Sequence, residues 1–117
     1  MAYRVQPARQ LHLFYRMFRF YRVEGDSMAP RINAGDYLLV RRLFFRIREN
    51  SIVVVRHSEY GVLVKRVQRI TKDGCLLTGE NPRSVSAEKM GIVSKAQILG
   101  KAVCCFRQTG RAYKLHP

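Results

Sequence analysis

The sequence predicts one small, mainly β domain built from antiparallel strands in a coiled sheet. Short apolar runs alternate with Gly, Asx and Ser turn residues, and helical periodicity is weak along most of the chain. The 117 residues are 47% hydrophobic, which suffices for one core and is too apolar for a disordered chain. We expect residues 1–22 to form a basic and aromatic N-terminal segment, 23–107 the folded domain, and 108–117 a polar tail.

Five runs are predicted to be strands: 37–41, 51–56, 61–70, 75–78 and 98–106, the last of the chain, which Gly100 interrupts. The run at 51–56 holds four consecutive apolar residues, which is typical of a strand buried on both faces. The Asp73-Gly74 pair predicts a tight turn between the strands on either side of it. We expect a hairpin loop at 57–61 and a polar loop at 79–91.

The N-terminal segment is less decisive. Residues 1–10 show no periodicity and predict a loose start. Residues 11–23 fit either a short helix or a strand, with strand favoured near the end, where aromatic and basic residues alternate. The same mixture would suit a segment lying on a membrane surface, or an element with its apolar side on the core and its basic side in solvent.

The charge of the chain is strongly positive, with 22 Lys and Arg against 8 Asp and Glu and a net charge of +14. Such an excess attracts nucleic acid, an anionic membrane surface or an acidic substrate. The three cysteines lack metal-ligand spacing, so we expect free thiols, a reducing compartment and no metal site. No apolar run is long enough to span a bilayer, so we expect a cytoplasmic protein that can lie at the periphery of a membrane.

Two stretches carry chemistry. In segment 23–30 (VEGDSMAP), Gly25 allows a sharp bend and Pro30 prevents a helix from continuing, so Ser27 is presented at a strand end. These residue types also occur in ordinary loops. In the strand 61–70, a period of two places Lys65 on an apolar face between Leu63 and Val67. Desolvation of its ammonium should lower the pKa of Lys65, which prepares a neutral amine to act as a general base.

Four blocks occur in order: Gly-Asp-Ser-Met-x-Pro at 25–30, Lys-Arg-Val at 65–67, Gly-Glu-Asn-Pro at 79–82 with Ser84, and Gly-Lys-Ala at 100–102. Over 23–103 their order and spacing resemble the type I signal peptidase superfamily of serine-lysine proteases, which also includes the SOS-repressor peptidases. The short chain looks most like the nickel-type superoxide dismutase maturation proteases. The resemblance implies the coiled antiparallel sheets of that superfamily.

The resemblance also implies roles for individual residues. Ser27 matches the nucleophile, Lys65 the general base, and Met28 a residue of the substrate pocket. Ser84 matches the serine that holds the lysine amine in place. Gly25 stands where the family often has a hydroxyl for the oxyanion, so backbone N–H groups must serve instead. The family pattern Ser-x-Asp-Ser-Arg reads Ser-Val-Ser-Ala-Glu at 84–88, so Ser86, Ala87 and Glu88 replace the usual bracing residues.

The implied function is a serine endopeptidase, without cofactor or metal, that removes an N-terminal propeptide or signal segment from a protein precursor such as that of nickel superoxide dismutase. The substrate should bind in extended form at a strand edge, with small residues before the cut. We expect the arginines to recruit substrate or an anionic surface, namely Arg16, Arg19, Arg41, Arg42, Arg46 and Arg48.

Three alternatives stay open. A self-cleaving peptidase of the SOS-repressor type would cut upstream of Ser27, where no Ala-Gly or Cys-Gly bond occurs. A Ser-His-Asp arrangement would use His57, expected in an exposed hairpin loop, with Asp26 or Asp36. A basic β-barrel could bind nucleic acid through phenylalanines interleaved with arginines, although no RNA-binding motif is present and no specific nucleic acid is expected.

Overall fold

The described part of the chain forms one antiparallel sheet with little helix. The computed structural model describes residues 9–81 and 86–116. Its helices are α1 (Arg9–Met17) and α2 (Ala87–Met90), with a 3-10 turn at Lys95–Gln97. Its strands are β1 (Phe18–Arg22), β2 (Tyr37–Arg41), β3 (Ile52–His57), β4 (Gly61–Thr71), β5 (Gly74–Thr78), β6 (Ile92–Val93), β7 (Ile98–Phe106) and β8 (Ala112–Lys114).

The strands are arranged in the order β1-β2-β7-β3-β4-β5-β6, and β8 pairs with the end of β7. Every neighbouring pair is antiparallel. The β3–β4 hairpin sets Val53 opposite Lys65 and Val54 opposite Val64. This hairpin therefore fixes where the candidate lysine lies relative to the core.

Strand β3 separates two hydrophobic clusters. Ile52 and Val54 belong to the first cluster, whereas Val53 and Val55 point to the opposite side and belong to the second. Because both of its faces are buried, β3 needs apolar residues at every position, which explains its unbroken run. The first cluster also contains Met28, Ile32, Leu38 and Leu115, and the second contains Val67, Cys75, Leu77, Met90 and Val93.

Strand β7 changes partners between Lys101 and Cys104, just after Gly100. On one edge β7 pairs with β3 around Gly100 and then with β8 from Cys104 onward. A Cβ at Gly100 would lie 2.5 Å from the Val40 side chain and 2.6 Å from the Arg41 carbonyl oxygen, so only glycine allows β2 to approach this closely. Register shifts in β2 and β3 accompany the crossing.

The five predicted strands are confirmed, each to within about one residue at its ends. The ambiguous segment 11–23 contains both predicted structures, because α1 ends at Met17 and β1 begins at Phe18. The predicted loose start at 1–10 lies mostly outside the described residues. No helix within 9–81 and 86–116 combines the length and apolar character required to cross a membrane.

Three expectations about the loops were wrong. The predicted polar loop at 79–91 contains α2, whose Met90 is buried in the second cluster. His57 is not exposed but ends β3 in a buried position, because its ring bonds to both the hairpin and α2. Strand β7 is not the last strand, because β8 follows in the segment expected to be a polar tail.

The tail contributes to the first cluster. Leu115 is 6% exposed, and its backbone N–H donates to the Val103 carbonyl at 3.0 Å. The Tyr113 hydroxyl donates to the Arg31 carbonyl, close to the loop that carries Ser27. Burial is the first cause that raises the pKa of Tyr113 to about 12, so the phenol stays protonated and remains a donor.

Leu115→Ala should destabilise the fold by about 2–3 kcal/mol, because it removes buried methyl groups from a packed cluster. Urea unfolding measures the change in free energy. Lys114→Ala is the matched control, since Lys114 is exposed on the neighbouring position of β8 and should cost less than about 0.5 kcal/mol. Equal small effects would mean that the tail does not close the core.

Candidate active site

Ser27 lies on a tight loop that follows β1. Gly25 adopts a φ of 75°, in the left-handed region that favours glycine, and turns the chain just before the serine. After Ser27 the chain makes a helical turn, in which the Ile32 N–H donates to the Met28 carbonyl at 2.9 Å. The peptide between Ala29 and Pro30 is cis. The bend predicted from segment 23–30 is therefore present, and Ser27 is half-buried on it.

A pair of backbone hydrogen bonds closes the base of this loop. The Val23 N–H donates to the Asp36 carbonyl and the Gly35 N–H donates to the Val23 carbonyl, both at 2.8 Å. The buried Asp36 carboxylate accepts from the Asn33 N–H at 2.9 Å and lies 4.0 Å from the Arg107 guanidinium. Asp36 thus serves to hold the loop base, since its carboxylate is already occupied by structural partners.

Lys65 is the largest fully buried side chain of the described residues, with 1% of its surface exposed. It lies on β4 opposite Val53, between Leu63 and Val67, and these residues belong to or pack against the second cluster. Desolvation by this apolar surrounding lowers the pKa of Lys65 from its usual 10.5. The environment of Lys65 therefore agrees with the lowered pKa that the sequence predicted for its amine.

The structure brings Ser27 to the strand that carries Lys65. The Ser27 hydroxyl donates to the Val64 carbonyl at 3.4 Å, one residue before Lys65. Strand β5 pairs with β4 only as far as Arg66, so Ser27 lies beside the part of β4 that β5 leaves uncovered. The hydroxyl bonds to the backbone here rather than to the lysine amine.

Ser27 faces a groove between the chain after β1 and the first half of β4. The groove has a volume of about 240 Å³. Met28 lies in its wall while being buried in the first cluster, as a residue of a substrate pocket would. The groove is lined by Tyr21, Arg22, Val23, Glu24, Ser27, Met28, Val54, Val62, Leu63 and Val64.

Glu80 is a residue of this site to which sequence reasoning gave no role. Its backbone N–H donates to the Ser27 carbonyl at 2.8 Å. Its carboxylate accepts from Arg66 at 2.9 Å and lies 4.0 Å from Arg31. Glu80 therefore joins the serine loop to β4. The Gly-Glu-Asn-Pro block drew attention to residues 79–82 in the sequence. The pairing of Glu80 with Ser27, Arg66 and Arg31 could not be read from it, because these residues are distant along the chain.

Of the remaining predicted site residues, some lie outside the described part of the chain and others concern the oxyanion. Ser84 lies outside the described residues, and so does the side chain of Glu88. Gly25 is exposed in open space beside the loop. Among the hydrogen bonds of the described residues, the Ser27 N–H is not used as a donor, which leaves it available to an oxyanion.

His57 is already occupied by structural hydrogen bonds. Its Nδ1 accepts from the Glu59 and Tyr60 N–H groups, and its Nε2 lies 3.0 Å from the Met90 carbonyl oxygen. An Nδ1 that accepts requires the proton on Nε2, which then donates to Met90. No ring nitrogen is left for Ser27, which argues against the Ser-His-Asp alternative.

Within residues 9–81 and 86–116 there is no group of three or more His, Cys, Asp or Glu side chains arranged to hold a metal ion. The three cysteines are free thiols, and burial is the first cause that raises the pKa values of Cys75 and Cys105. Raised pKa values keep both thiols protonated and poorly nucleophilic, so neither competes with Ser27 for a nucleophilic role.

Lys65→Met should stabilise the fold at neutral pH, because methionine fills a similar volume without a charge to desolvate. The folded protein binds fewer protons at Lys65 than the unfolded chain does, so the wild type gains stability as pH rises from the lowered pKa toward 10.5. The advantage of the variant should therefore shrink as pH increases. Urea midpoints at neutral pH and at about pH 10 measure this change.

Lys72→Met is the control for that measurement, because Lys72 is exposed in the β4–β5 turn. It should shift the urea midpoint little and by the same amount at both pH values. A Lys65 variant that is less stable than the wild type at neutral pH would show that the buried amine is compensated by a partner.

Comparison with known proteins identifies the family of this fold and site. The Peptidase S24-like family model matches residues 15–103, which is well over half of the chain and includes both Ser27 and Lys65. Searches of curated proteins and of solved structures found no match. The match supports the serine-lysine peptidase superfamily expected from the sequence blocks, and it points to peptidase activity. The chain belongs to the Peptidase S24-like family.

Proposed function

We propose that this protein is a serine endopeptidase in which Ser27 is the nucleophile and Lys65 the general base. The observation that carries the proposal is the contact of the Ser27 hydroxyl with Val64, directly before a buried lysine whose pKa is lowered by desolvation. A neutral amine can accept the hydroxyl proton, whereas an arginine at this position would stay charged. A rotation of the serine side chain away from the Val64 carbonyl would present the hydroxyl to that amine.

The reaction then follows two steps. The Ser27 Oγ attacks the scissile carbonyl while Lys65 takes its proton, and the Ser27 N–H with a neighbouring backbone N–H near Gly25 stabilises the oxyanion. Lys65 returns the proton to the leaving amine. Water, activated by the same amine, hydrolyses the acyl-enzyme. Hydrogen bonds of this kind are often long in an enzyme without substrate and shorten when it binds.

The groove suits an extended peptide. Between Gly61 and Lys65 the edge of β4 that faces away from β3 has no strand partner among the described residues. A substrate segment can add to this edge by backbone hydrogen bonds, with alternate side chains directed into the groove. Its small volume beside Met28 favours small side chains before the scissile bond.

We propose as substrate a precursor with an N-terminal extension, and specifically that of nickel superoxide dismutase. The support is the resemblance of the ordered blocks in residues 23–103 to the serine-lysine superfamily, which includes the maturation proteases of that enzyme. Incubation with the precursor, followed by N-terminal sequencing of the product, tests this assignment. A single cut that releases the propeptide is the expected result, and an intact precursor would contradict it.

Self-cleavage is the second candidate function, because the family whose model matches is the Peptidase S24-like family. The SOS-repressor peptidases of the same superfamily cut themselves upstream of the nucleophile. Intact mass measurement of the isolated protein after incubation at alkaline pH separates the two functions. Loss of an N-terminal fragment at a rate independent of protein concentration would support self-cleavage. A stable intact chain that cuts the precursor would support cleavage of another protein.

Ser27→Ala and Lys65→Met should each lower the rate of cleavage by at least about 10⁴-fold, since each removes a reacting group. The double variant should lose no more than either single variant, because the two residues act in one step. Both variants should keep the wild-type circular dichroism spectrum. A cleavage rate near the wild-type value in either variant would contradict the dyad.

The cleavage rate should rise with pH, because Lys65 acts only when its amine is neutral. Its lowered pKa places this rise below the usual 10.5 of a lysine side chain. Single-turnover rates measured across the neutral to alkaline range should follow one ionisation. An activity optimum near pH 5 would mean that a carboxylate and not Lys65 is the base.

A further inference from the structure

One end of the molecule combines arginines with exposed apolar side chains. Residues 13–20 and 39–48 contain six arginines, no aspartate and no glutamate. The first segment holds most of helix α1 and the start of β1, and the second holds the end of β2 with the loop that follows it. We name this end of the molecule the arginine–aromatic surface.

Contacts between the two segments show that they form one surface. Phe18 of β1 pairs with Arg41 of β2, and the Arg41 guanidinium lies 5.8 Å from the centre of the Phe18 ring. The Arg42 N–H donates to the Met17 carbonyl at 2.7 Å, and its guanidinium lies 3.4 Å from the Tyr15 carbonyl oxygen. Arg42 thus caps the C-terminal end of α1 and holds the helix beside the loop after β2.

The apolar side chains of this surface are largely open to solvent. Leu13 and Tyr15 on α1 are 58% and 64% exposed, and Phe20 on β1 is exposed as well. In the loop after β2, Phe44 is 83% exposed, while the next residue, Phe45, is half-buried against the body of the domain. Such a concentration of exposed large apolar residues marks an interaction site.

Phe44 also adopts an unfavourable backbone conformation. Its φ is 57°, in the left-handed region, where a bulky side chain is a genuine outlier. Among the described residues, the other non-glycine with a positive φ is Asn50, a residue type that tolerates this region. The fold therefore holds an aromatic ring outward at a position better suited to Asn or Gly, which is the kind of local cost associated with function.

Four arginines of the surface are free to act on a partner. The side chains of Arg16, Arg19, Arg46 and Arg48 are exposed, and the described residues offer them no hydrogen bond or ion pair. These arginines lie in the same two segments as the exposed apolar residues. Cations next to exposed apolar side chains are complementary to an anionic lipid surface, where the apolar side chains enter the headgroup region and the cations meet the phosphates.

We propose that the arginine–aromatic surface docks on anionic lipid membranes, with Phe44 and α1 entering the headgroup region. A single-stranded nucleic acid is less well matched, because Leu13 and the exposed Leu43 have no ring on which a base can stack. The peptidase groove includes Tyr21 and Arg22 at the far end of β1, roughly 10–13 Å along the strand from Phe18. Docking therefore leaves the groove open to substrate.

Co-sedimentation with vesicles tests the proposal without any cleavage step. The protein carries Ser27→Ala, so the result does not depend on the proposed peptidase activity. It should bind vesicles of equimolar phosphatidylcholine and phosphatidylglycerol. Its binding to pure phosphatidylcholine vesicles should be weaker by at least roughly ten-fold. Equal binding to both vesicle types, or binding to neither, would overturn the proposal.

Charge variants locate the surface. Replacing Arg16, Arg19, Arg46 and Arg48 together by glutamine should lower the partition coefficient on anionic vesicles roughly ten-fold or more. The matched control replaces four exposed cations elsewhere by glutamine, namely Arg56, Arg69, Lys72 and Arg111. It has the same net charge and should lose less than about three-fold. Equal losses would mean that binding follows net charge alone and would overturn the proposal.

Phe44→Asn separates docking from folding. Asparagine tolerates the left-handed backbone, so the urea midpoint should stay the same or rise, while vesicle binding falls roughly five-fold. Ile92→Thr, at an exposed apolar position on β6, is the control and should leave vesicle binding unchanged. Unchanged binding by Phe44→Asn would overturn the insertion of this ring.

A competition experiment tests the nucleic-acid alternative. A labelled single-stranded oligonucleotide is added to the vesicle-bound protein at an equal concentration of phosphate. If the oligonucleotide displaces the protein from the vesicles, the surface is a nucleic-acid surface and the proposal is overturned.

Discussion

The burial of Lys65 is the constraint on which the rest of the structure depends. A lysine amine becomes a useful base near neutral pH only when its charged form is penalised, and here the penalty comes from burial among the apolar residues of the second cluster. That environment needs β3 buried on both faces and β4 paired across it. The second hydrophobic cluster therefore serves the site as well as stability, because removing it would expose the amine to water.

Ser27, the proposed nucleophile, is positioned by its backbone rather than by its own side chain. The Glu80 N–H holds the Ser27 carbonyl, and the Val23 backbone bonds to Gly35 and Asp36 to close the base of the loop. The hydroxyl itself makes one long hydrogen bond, to Val64. A fixed backbone with a lightly held side chain is compatible with the proposed reaction, in which the hydroxyl rotates between the amine and the substrate carbonyl.

Local signals predicted most of the fold. Apolar runs bounded by Gly and Asp turns identified β2, β3, β4, β5 and β7, because strand pairing across short turns leaves a pattern in neighbouring residues. Helix α2 and strand β8 escaped detection, because each is stabilised by distant contacts, such as His57 with Met90 and Leu115 with Val103. The same reason hid the role of Glu80, whose arginine partners lie far from it along the chain.

The distribution of charge distinguishes two ends of the molecule. Two acidic residues, Asp36 and Glu80, hold the serine loop, and each forms an ion pair with an arginine. The side chains of Arg16, Arg19, Arg46 and Arg48, near α1 and after β2, have no hydrogen bond or ion pair among the described residues, so their charge remains available at the surface. Strand β1 connects the two ends, since its first residue packs beside the cations and its last residue lines the groove. The net charge of +14 is thus unevenly distributed. Arginines near the serine loop are paired with carboxylates, whereas these four arginines of the arginine–aromatic surface are unpaired among the described residues and available to a partner.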